Sequence, residues 1–234
     1  MPTKQTTKRK PSHAATRGRP APRSKATAQP ELDLAQVEEL LLQALETELG
    51  GVQVYENAVA CAENPDLRRE WQKYLDQTRN HVEIVTGLCD ERGIATDQEP
   101  PGRLVVRHIG ESLVEAMRQA RSSGGPGAAQ LVAAECVVLA ESKDHQNWEL
   151  LKEVAKALPP AEAKPFKEAI DEVEDEEDEH LYHTMGWARE LWIESLGLPA
   201  VLPPPEERRD VKSAISAARA KKARTTMRKA KSRS

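Results

Sequence analysis

Aromatic residues are scarce in this sequence of 234 residues, which contains four Trp, three Tyr and one Phe. Such scarcity, beside abundant Ala, Glu, Leu, Lys and Arg, argues against a β-sandwich or barrel and predicts an all-α fold. The three cysteines are odd in number and lie in apolar runs, which predicts buried free thiols rather than a disulfide framework or zinc site. No apolar run approaches the roughly 18 residues of a membrane span. We therefore expect a soluble, cytoplasmic protein.

Acidic residues are absent from both ends of the chain. Residues 1–30 and 211–234 contain eight and nine basic residues, which leaves 17 basic against 38 acidic residues in 31–210. The net charge of −4 therefore conceals an acidic body of −21 between two cationic arms that together carry +17. We predict a disordered basic tail over 1–29, a helical body over 30–198, and a Pro-rich linker with a disordered basic tail over 199–234.

Helix breakers divide the body into four long helices and a crossing segment. Tight turns at Asn64-Pro65 and Pro159-Pro160 divide the helices into two pairs. Residues 94–125 form a long connection between the pairs, and its apolar residues also recur at helical spacing. The predicted helices run from about 30 to 63, 65 to 93, 127 to 158 and 165 to 197. Two tight turns and one long crossover predict a ferritin-like four-helix bundle.

Charged residues interrupt the apolar stripe of every long helix. Glu48, His81 and Glu141 each lie at the centre of a stripe, and the last helix aligns Glu174, Glu177 and His180 one turn apart. A buried carboxylate without a cation is too unfavourable to persist, and no Lys or Arg lies on these stripes. Converging carboxylates and imidazoles predict a site for iron or manganese, which favour mixed oxygen and nitrogen ligands.

A repeated pattern strengthens this prediction. Glu48 precedes Tyr55 by seven residues and Glu141 precedes Trp148 by seven, and each half continues to Thr78-Arg-Asn-His81 or Glu177-Asp-Glu-His180. The duplication resembles the ferritin-like di-iron carboxylate superfamily, above all its rubrerythrin-type members, over residues 35–195.

The resemblance implies a core metal site with specific ligands. These are Glu48, His81, Glu141, Glu177 and His180, with Tyr55 and Trp148 packed over the metal. Thr78 departs from the family pattern, which has a glutamate there; Glu174, His145 and Asp144 are the candidates for the missing ligand. The family's Cys-x-x-Cys electron-transfer module is absent. No nucleotide cofactor is expected.

The cationic arms resemble the tails of histone-like proteins. Flexible Lys and Arg residues displace counterions from phosphates, which predicts association with double-stranded DNA without sequence specificity. The residues assigned to this contact are Lys8, Arg9, Lys10, Lys221, Lys222, Arg224, Arg228 and Lys229. Docking of an arm on the acidic body is the competing interpretation.

These observations favour a metal-binding protein of oxidative-stress protection, associated with the nucleoid, whose core reacts with peroxide or oxygen. The ferroxidase, peroxidase and catalase-like oxidoreductase activities remain open, and a homodimer is a further expectation. The alternative function is a metal-free helical bundle that serves as a nucleoid- or stress-associated scaffold through its tails.

Overall fold

Residues 32–231 are described by a computed structural model, and within them every regular element is a helix. The helices are α1 (Leu34–Cys61), α2 (Pro65–Glu91), α3 (Pro101–Ser123), α4 (Pro126–Ala157), α5 (Pro160–Ser195), α6 (Pro205–Arg208) and α7 (Ala214–Lys231). The all-α prediction is confirmed. In this part of the chain, no helix has both the length and the apolar character needed to cross a bilayer.

Local signals in the sequence account for the helix ends. The Asp33 carboxylate accepts hydrogen bonds from the backbone N–H groups of Ala35 and Gln36, and the Asn64 side chain caps α2 in the same way, with Pro65 at the first helical position. The fourth long helix begins at Pro160 rather than at Pro165, which lies inside it. A first-turn proline loses no helical hydrogen bond, so Pro160 starts the helix.

Two hydrophobic clusters are both built from α1, α2, α4 and α5, and α3 adds Val114 and Met117 to the second. One cluster contains Leu41, Leu88, Leu151 and Phe166, and the other contains Tyr74, Ala134 and Trp187. The crossing segment is not an irregular loop, because most of it forms α3. This helix packs against both α1 and α4. Apart from Gln130 and Glu190, the buried polar residues of the four helices lie at positions between those of the two clusters.

The C-terminal region departs from the prediction of a disordered tail. Residues 214–231 form α7, in which Ala220 is fully buried, and Val201 and Val211 of the preceding connection are also buried. Arg224 donates a 2.5 Å hydrogen bond from Nε to Oε1 of buried Glu190 on α5. Composition alone indicated disorder, whereas this long-range ion pair and the buried apolar residues favour a docked helix. Residues 1–29, including Lys8, Arg9 and Lys10, lie outside the described part of the chain.

Candidate metal centre

Six buried side chains from four helices meet between the two hydrophobic clusters. We call them the carboxylate–histidine cluster: Glu48 from α1, His81 from α2, Glu141 and Asp144 from α4, and Glu177 and His180 from α5. None is more than 5% exposed. The structure thus brings together the five principal residues that the sequence assigned to the metal and, of the three candidates for the missing ligand, Asp144.

Glu177 occupies the centre of the cluster. One ligand atom of each of His81, Glu177 and His180 lies within 4.8 Å of the others, and the same holds for Glu48, Asp144 and Glu177. Oε1 of Glu177 is 3.0 Å from Nδ1 of His81 and 3.6 Å from Nδ1 of His180. Glu141 lies beside the first group, since its Oε2 is 3.6 Å from Nδ1 of His180, and Oε2 of Glu48 lies 3.8 Å from Nδ1 of His81. The cluster therefore contains two groups of ligand atoms that share one carboxylate.

Both imidazoles present Nδ1 to the cluster, because acceptors outside it hold their Nε2 atoms. Nε2 of His81 lies 2.9 Å from Oε2 of Glu176, and Nε2 of His180 lies 3.0 Å from Oε1 of Gln77. An acceptor on Nε2 places the proton there in the neutral ring, which leaves the Nδ1 lone pair free to bind a cation. Outer partners of this kind orient metal-binding histidines in proteins.

Seven buried atoms of the cluster have no hydrogen-bond partner. They are Glu48 Oε2, His81 Nδ1, Glu141 Oε2, Asp144 Oδ1, both carboxylate oxygens of Glu177, and His180 Nδ1. Nδ1 of His81 is close to Glu177 but is not aligned for a hydrogen bond. Buried polar groups are normally satisfied, and so many unsatisfied donor atoms facing one another fit a divalent cation.

Electrostatic shifts show how unfavourable the cluster is without a cation. Burial raises the pKa of Glu48 to about 8, despite the opposing effect of His81, and Glu177 adds to the rise. Burial, followed by the carboxylates of Glu177 and Glu48, raises the pKa of Asp144 well above its usual range. Burial alone would lower the pKa of His81, but contacts with Glu176, Glu177 and Glu48 raise it to about 10. These contacts favour the protonated form of His81 when no metal is bound, and a cation at Nδ1 would compete with that proton.

The aromatic residues assigned to the site lie beside it. Nε1 of Trp148 donates a 3.0 Å hydrogen bond to Oε1 of Glu48, and the Trp148 ring contacts His81 edge to face. Tyr55 is fully buried against His180, and burial together with the Glu141 carboxylate raises the pKa of its hydroxyl well above the usual value. Both residues exclude water from the cluster.

Three of the remaining predicted positions do not supply a ligand. The prediction of Glu174 as a possible ligand is corrected by the structure. Its side chain is 46% exposed and pairs with Lys152, because it lies on the outer flank of α5. His145 is half-buried and its Nε2 is 2.9 Å from Oδ1 of Asp178 rather than from the cluster. Thr78 is buried against Gly51, where a Cβ atom would come within 3.1 Å of the Thr78 methyl group. Position 78 therefore serves the close packing of α2 on α1.

Sequence reasoning missed a second buried polar group. His183 is 3% exposed, and its Nδ1 lies 3.0 Å from both the Tyr74 hydroxyl and Oε1 of Glu70. The Tyr74 ring in turn lies against His180, with 4.2 Å between the ring centroids. His183 follows His180 by three residues, which is about one helical turn. The helical periodicity around His180 was therefore the signal that could have identified His183 as buried.

Comparisons of the chain with protein-family models, curated proteins and solved structures find no match. The assignment of the site therefore depends on its own geometry.

Proposed function

We propose that this protein is a ferritin-like metal-binding protein whose carboxylate–histidine cluster holds iron or manganese and reacts with peroxide or oxygen. The observation that carries the proposal is the set of seven unsatisfied, buried ligand atoms contributed by four helices. Four carboxylates and two imidazoles form an electron-rich, mainly oxygen donor set, which suits iron and manganese better than metals that prefer thiolates.

The order and contacts of the helices support the ferritin-like part of the proposal. The pairs α1–α2 and α4–α5 are joined by connections of three and two residues, whereas 34 residues that include α3 separate α2 from α4. Each pair packs closely, and α1 also packs against α4. This is the connectivity of a bundle with one long crossover.

The grouping of the ligand atoms supports two metal ions. Glu177 belongs to both groups and has two unsatisfied carboxylate oxygens, so one oxygen is available to each of two ions. Asp144, three residues after Glu141, supplies the carboxylate that Thr78 does not. The two helices α4 and α5 then each contribute two ligands separated by one turn.

Bound iron or manganese would provide the electrons for reduction of the oxidant; for iron and peroxide the balance would be 2 Fe(II) + H2O2 + 2 H+ giving 2 Fe(III) + 2 H2O. The side chains of the cluster would hold the ions, the carboxylates would stabilise the higher charge of the oxidised metal, and the buried surroundings would keep bulk water away. Trp148 fixes the orientation of Glu48 through its 3.0 Å hydrogen bond.

An anaerobic reconstitution experiment tests this function. Protein loaded with Fe(II) is mixed with hydrogen peroxide, and peroxide consumption and Fe(III) absorbance are followed for wild type, Glu177→Gln and Glu168→Gln. We expect Glu177→Gln to lose the reaction and Glu168→Gln to retain it, because Glu168 is an exposed carboxylate on the same helix, paired only with Lys164. Equal rates in all three proteins, or no reaction in wild type, would contradict the proposal and favour the metal-free scaffold.

Exposed cations on α7 favour a second, separate function in DNA association. Arg219, Lys221, Lys222 and Arg228 are exposed, and no acidic residue occurs in 211–234. Arg224 is a correction to the predicted contact residues, since it is engaged with Glu190 and the Pro199 carbonyl. The side chain of Lys229 lies outside the described part of the chain.

A gel shift with duplex DNA at two salt concentrations tests this association. Deletion of α7 would also remove Arg224, one of the two guanidinium partners of Glu190, so the informative variant is Lys221→Glu with Lys222→Glu, which leaves the buried face of the helix unchanged. We expect weaker, salt-sensitive binding for this variant. Unchanged binding would rule out the exposed face of α7 as the contact.

A further inference from the structure

We propose that divalent cations reach the carboxylate–histidine cluster through a small pocket between α4 and α5, whose outer charges control the rate of uptake. This α4–α5 pocket is lined by His145, Glu149, Lys152, Glu174, Glu177 and Asp178, together with two buried apolar residues. The inference rests on the proposed metal function, which it deepens by naming the path of the ion.

The pocket connects solvent to the cluster. Its outer residue Glu174 has a side chain that is 46% exposed, and its innermost charged residue, Glu177, is 2% exposed. Both carboxylate oxygens of Glu177 lack a hydrogen-bond partner. A residue of the cluster therefore also lines a surface pocket, and the acidic residues Glu149, Glu174 and Asp178 line the same pocket.

The size of the pocket suits a single small ligand. Its volume is about 20 Å³, and a cavity of roughly 10–15 Å³ suffices for one water molecule. A larger cavity of about 260 Å³ lies between α1, α3 and α4, but its lining is mainly apolar and contains no residue of the cluster. The smaller pocket is lined by charged residues, but a cation must lose most of its bound water before it enters.

Two ion pairs lie across this path. Nε2 of His145 on α4 is 2.9 Å from Oδ1 of Asp178 on α5, and Lys152 on α4 pairs with Glu174 on α5. The His145 pair is the inner of the two, with side chains 24% and 17% exposed. We assign the outer pair to charge selection at the mouth and the inner pair to a movable barrier in front of Glu177. Glu174, which is not a ligand, thereby acquires a role in metal uptake.

Opposite charge changes at the mouth should have opposite effects. Glu174→Gln leaves Lys152 unpaired and repels a cation, whereas Lys152→Gln leaves Glu174 unpaired and attracts it. We expect the association rate to fall about fivefold in the first variant and to rise about fivefold in the second, at low ionic strength. Both effects should shrink in high salt. The double variant, which restores neutrality, should return to the wild-type rate.

Removal of the inner ion pair, His145–Asp178, should change the rates of metal binding in a different way. His145→Ala combined with Asp178→Ala removes both partners of the inner pair, which widens the path without changing the ligands or leaving a charge unpaired. Association and dissociation should then accelerate by the same factor, and the dissociation constant should stay constant. A residue that contributed to binding itself would instead change the dissociation constant.

Stopped-flow mixing of metal-free protein with Co(II) measures these rates from the visible absorption of the bound ion, and release into excess EDTA gives dissociation. The matched control is Glu56→Gln, which removes an exposed acid that pairs with Arg79 between α1 and α2. Opposite rate changes at Glu174 and Lys152, with an unchanged control, would support the path. Rates that are unchanged in all variants, or that change equally in the control, would overturn the path while leaving the metal site intact. Wild-type protein that takes up no Co(II) would overturn the metal function itself, and the path with it.

Discussion

Two groups of buried acids differ in what surrounds them. In the carboxylate–histidine cluster, the four carboxylates have imidazoles, one indole N–H and the Tyr55 hydroxyl nearby but pair with no Lys or Arg of the described residues, and seven ligand atoms are unsatisfied. At the C-terminal end of α5, Glu190 and Glu206 are equally buried but are matched by Arg189 and Arg224. We call these four residues the arginine–carboxylate cluster.

The arginine–carboxylate cluster is fully paired. Arg189 makes a two-pronged contact with Glu206 at 2.7 and 2.8 Å, and Oε2 of Glu190 accepts a hydrogen bond from the backbone N–H of Val201. Such a group joins α5 to the C-terminal segment and needs no ligand. An acid on an apolar helix face is thus ambiguous by itself, and the absence of a protein partner is what points to a metal.

The largest expected effect concerns the arginine–carboxylate cluster. Glu190→Gln removes the anion that two guanidinium groups share, so the free energy of unfolding in EDTA should fall by about 3 kcal/mol, as when one partner of a buried ion pair is removed. Chemical denaturation measures the change. A loss below 1 kcal/mol would show that this pairing contributes little to the fold.

Metal should stabilise the protein only through the carboxylate–histidine cluster. With free Mn(II) at one hundred times its dissociation constant, the free energy of unfolding should rise by about 2.7 kcal/mol. Glu190→Gln should keep this increment, whereas Glu177→Gln should lose it. The contrary result, an equal increment in both variants, would place the metal elsewhere. Thermal unfolding with and without Mn(II) makes the comparison.

Stability of the metal-free protein should fall as the pH rises. The folded-state pKa of Glu48 is raised from 4.5 to about 8, so its contribution is present below 4.5 and is lost as the pH rises through 8. The folded-state pKa of His81 is raised from 6.5 to about 10, so its contribution is present below 6.5 and is lost through 10. Between pH 6 and 9.5 we expect a fall of at least about 1.4 kcal/mol, the equivalent of one pKa unit.

A metal-loaded sample provides the control for this pH dependence. Metal affinity rises as the ligands lose protons, so stability with Mn(II) should fall less over the same interval, or rise. Parallel pH profiles with and without metal would contradict the account.

The smallest expected effect is a stabilisation, opposite in sign to the destabilisation expected for Glu190→Gln. Asp144→Asn removes a buried carboxylate whose pKa is raised well above its usual range by burial and by the neighbouring carboxylates of Glu177 and Glu48, so the metal-free protein should become more stable by about 1 kcal/mol, the order of one screened interaction at short distance. Denaturation in EDTA, alongside Glu190→Gln, checks the reversal. Destabilisation by both substitutions would erase the distinction between the two clusters.

Much of the fold and most of the candidate site follow from local sequence. Capping residues and prolines locate the ends of α1 and α2, and helical periodicity identifies Glu48, His81, Glu141, Glu177 and His180 as buried. These features depend on neighbours within one or two turns, which the sequence displays directly.

Helical periodicity could not decide whether Glu174 or Asp144 is the additional buried carboxylate of the cluster. At 100° per residue, Glu174 and Asp144 each lie 60° from a central acid of their helix, Glu177 and Glu141. The packing of α4 against α1 and α5 buries Asp144, while Glu174 remains on the outer flank. Likewise, α7 has a composition typical of disorder, and its docking depends on Glu190, which is 34 residues away from Arg224.

The metal content of the purified protein tests the central claim most directly. Protein from cells supplied with iron or manganese should contain one to two ions per chain by elemental analysis, and the double variant His81→Ala, His180→Ala should lose them while it stays folded. Metal well below one ion per chain in wild type, unchanged in the double variant, would contradict the assignment of the carboxylate–histidine cluster as a metal centre.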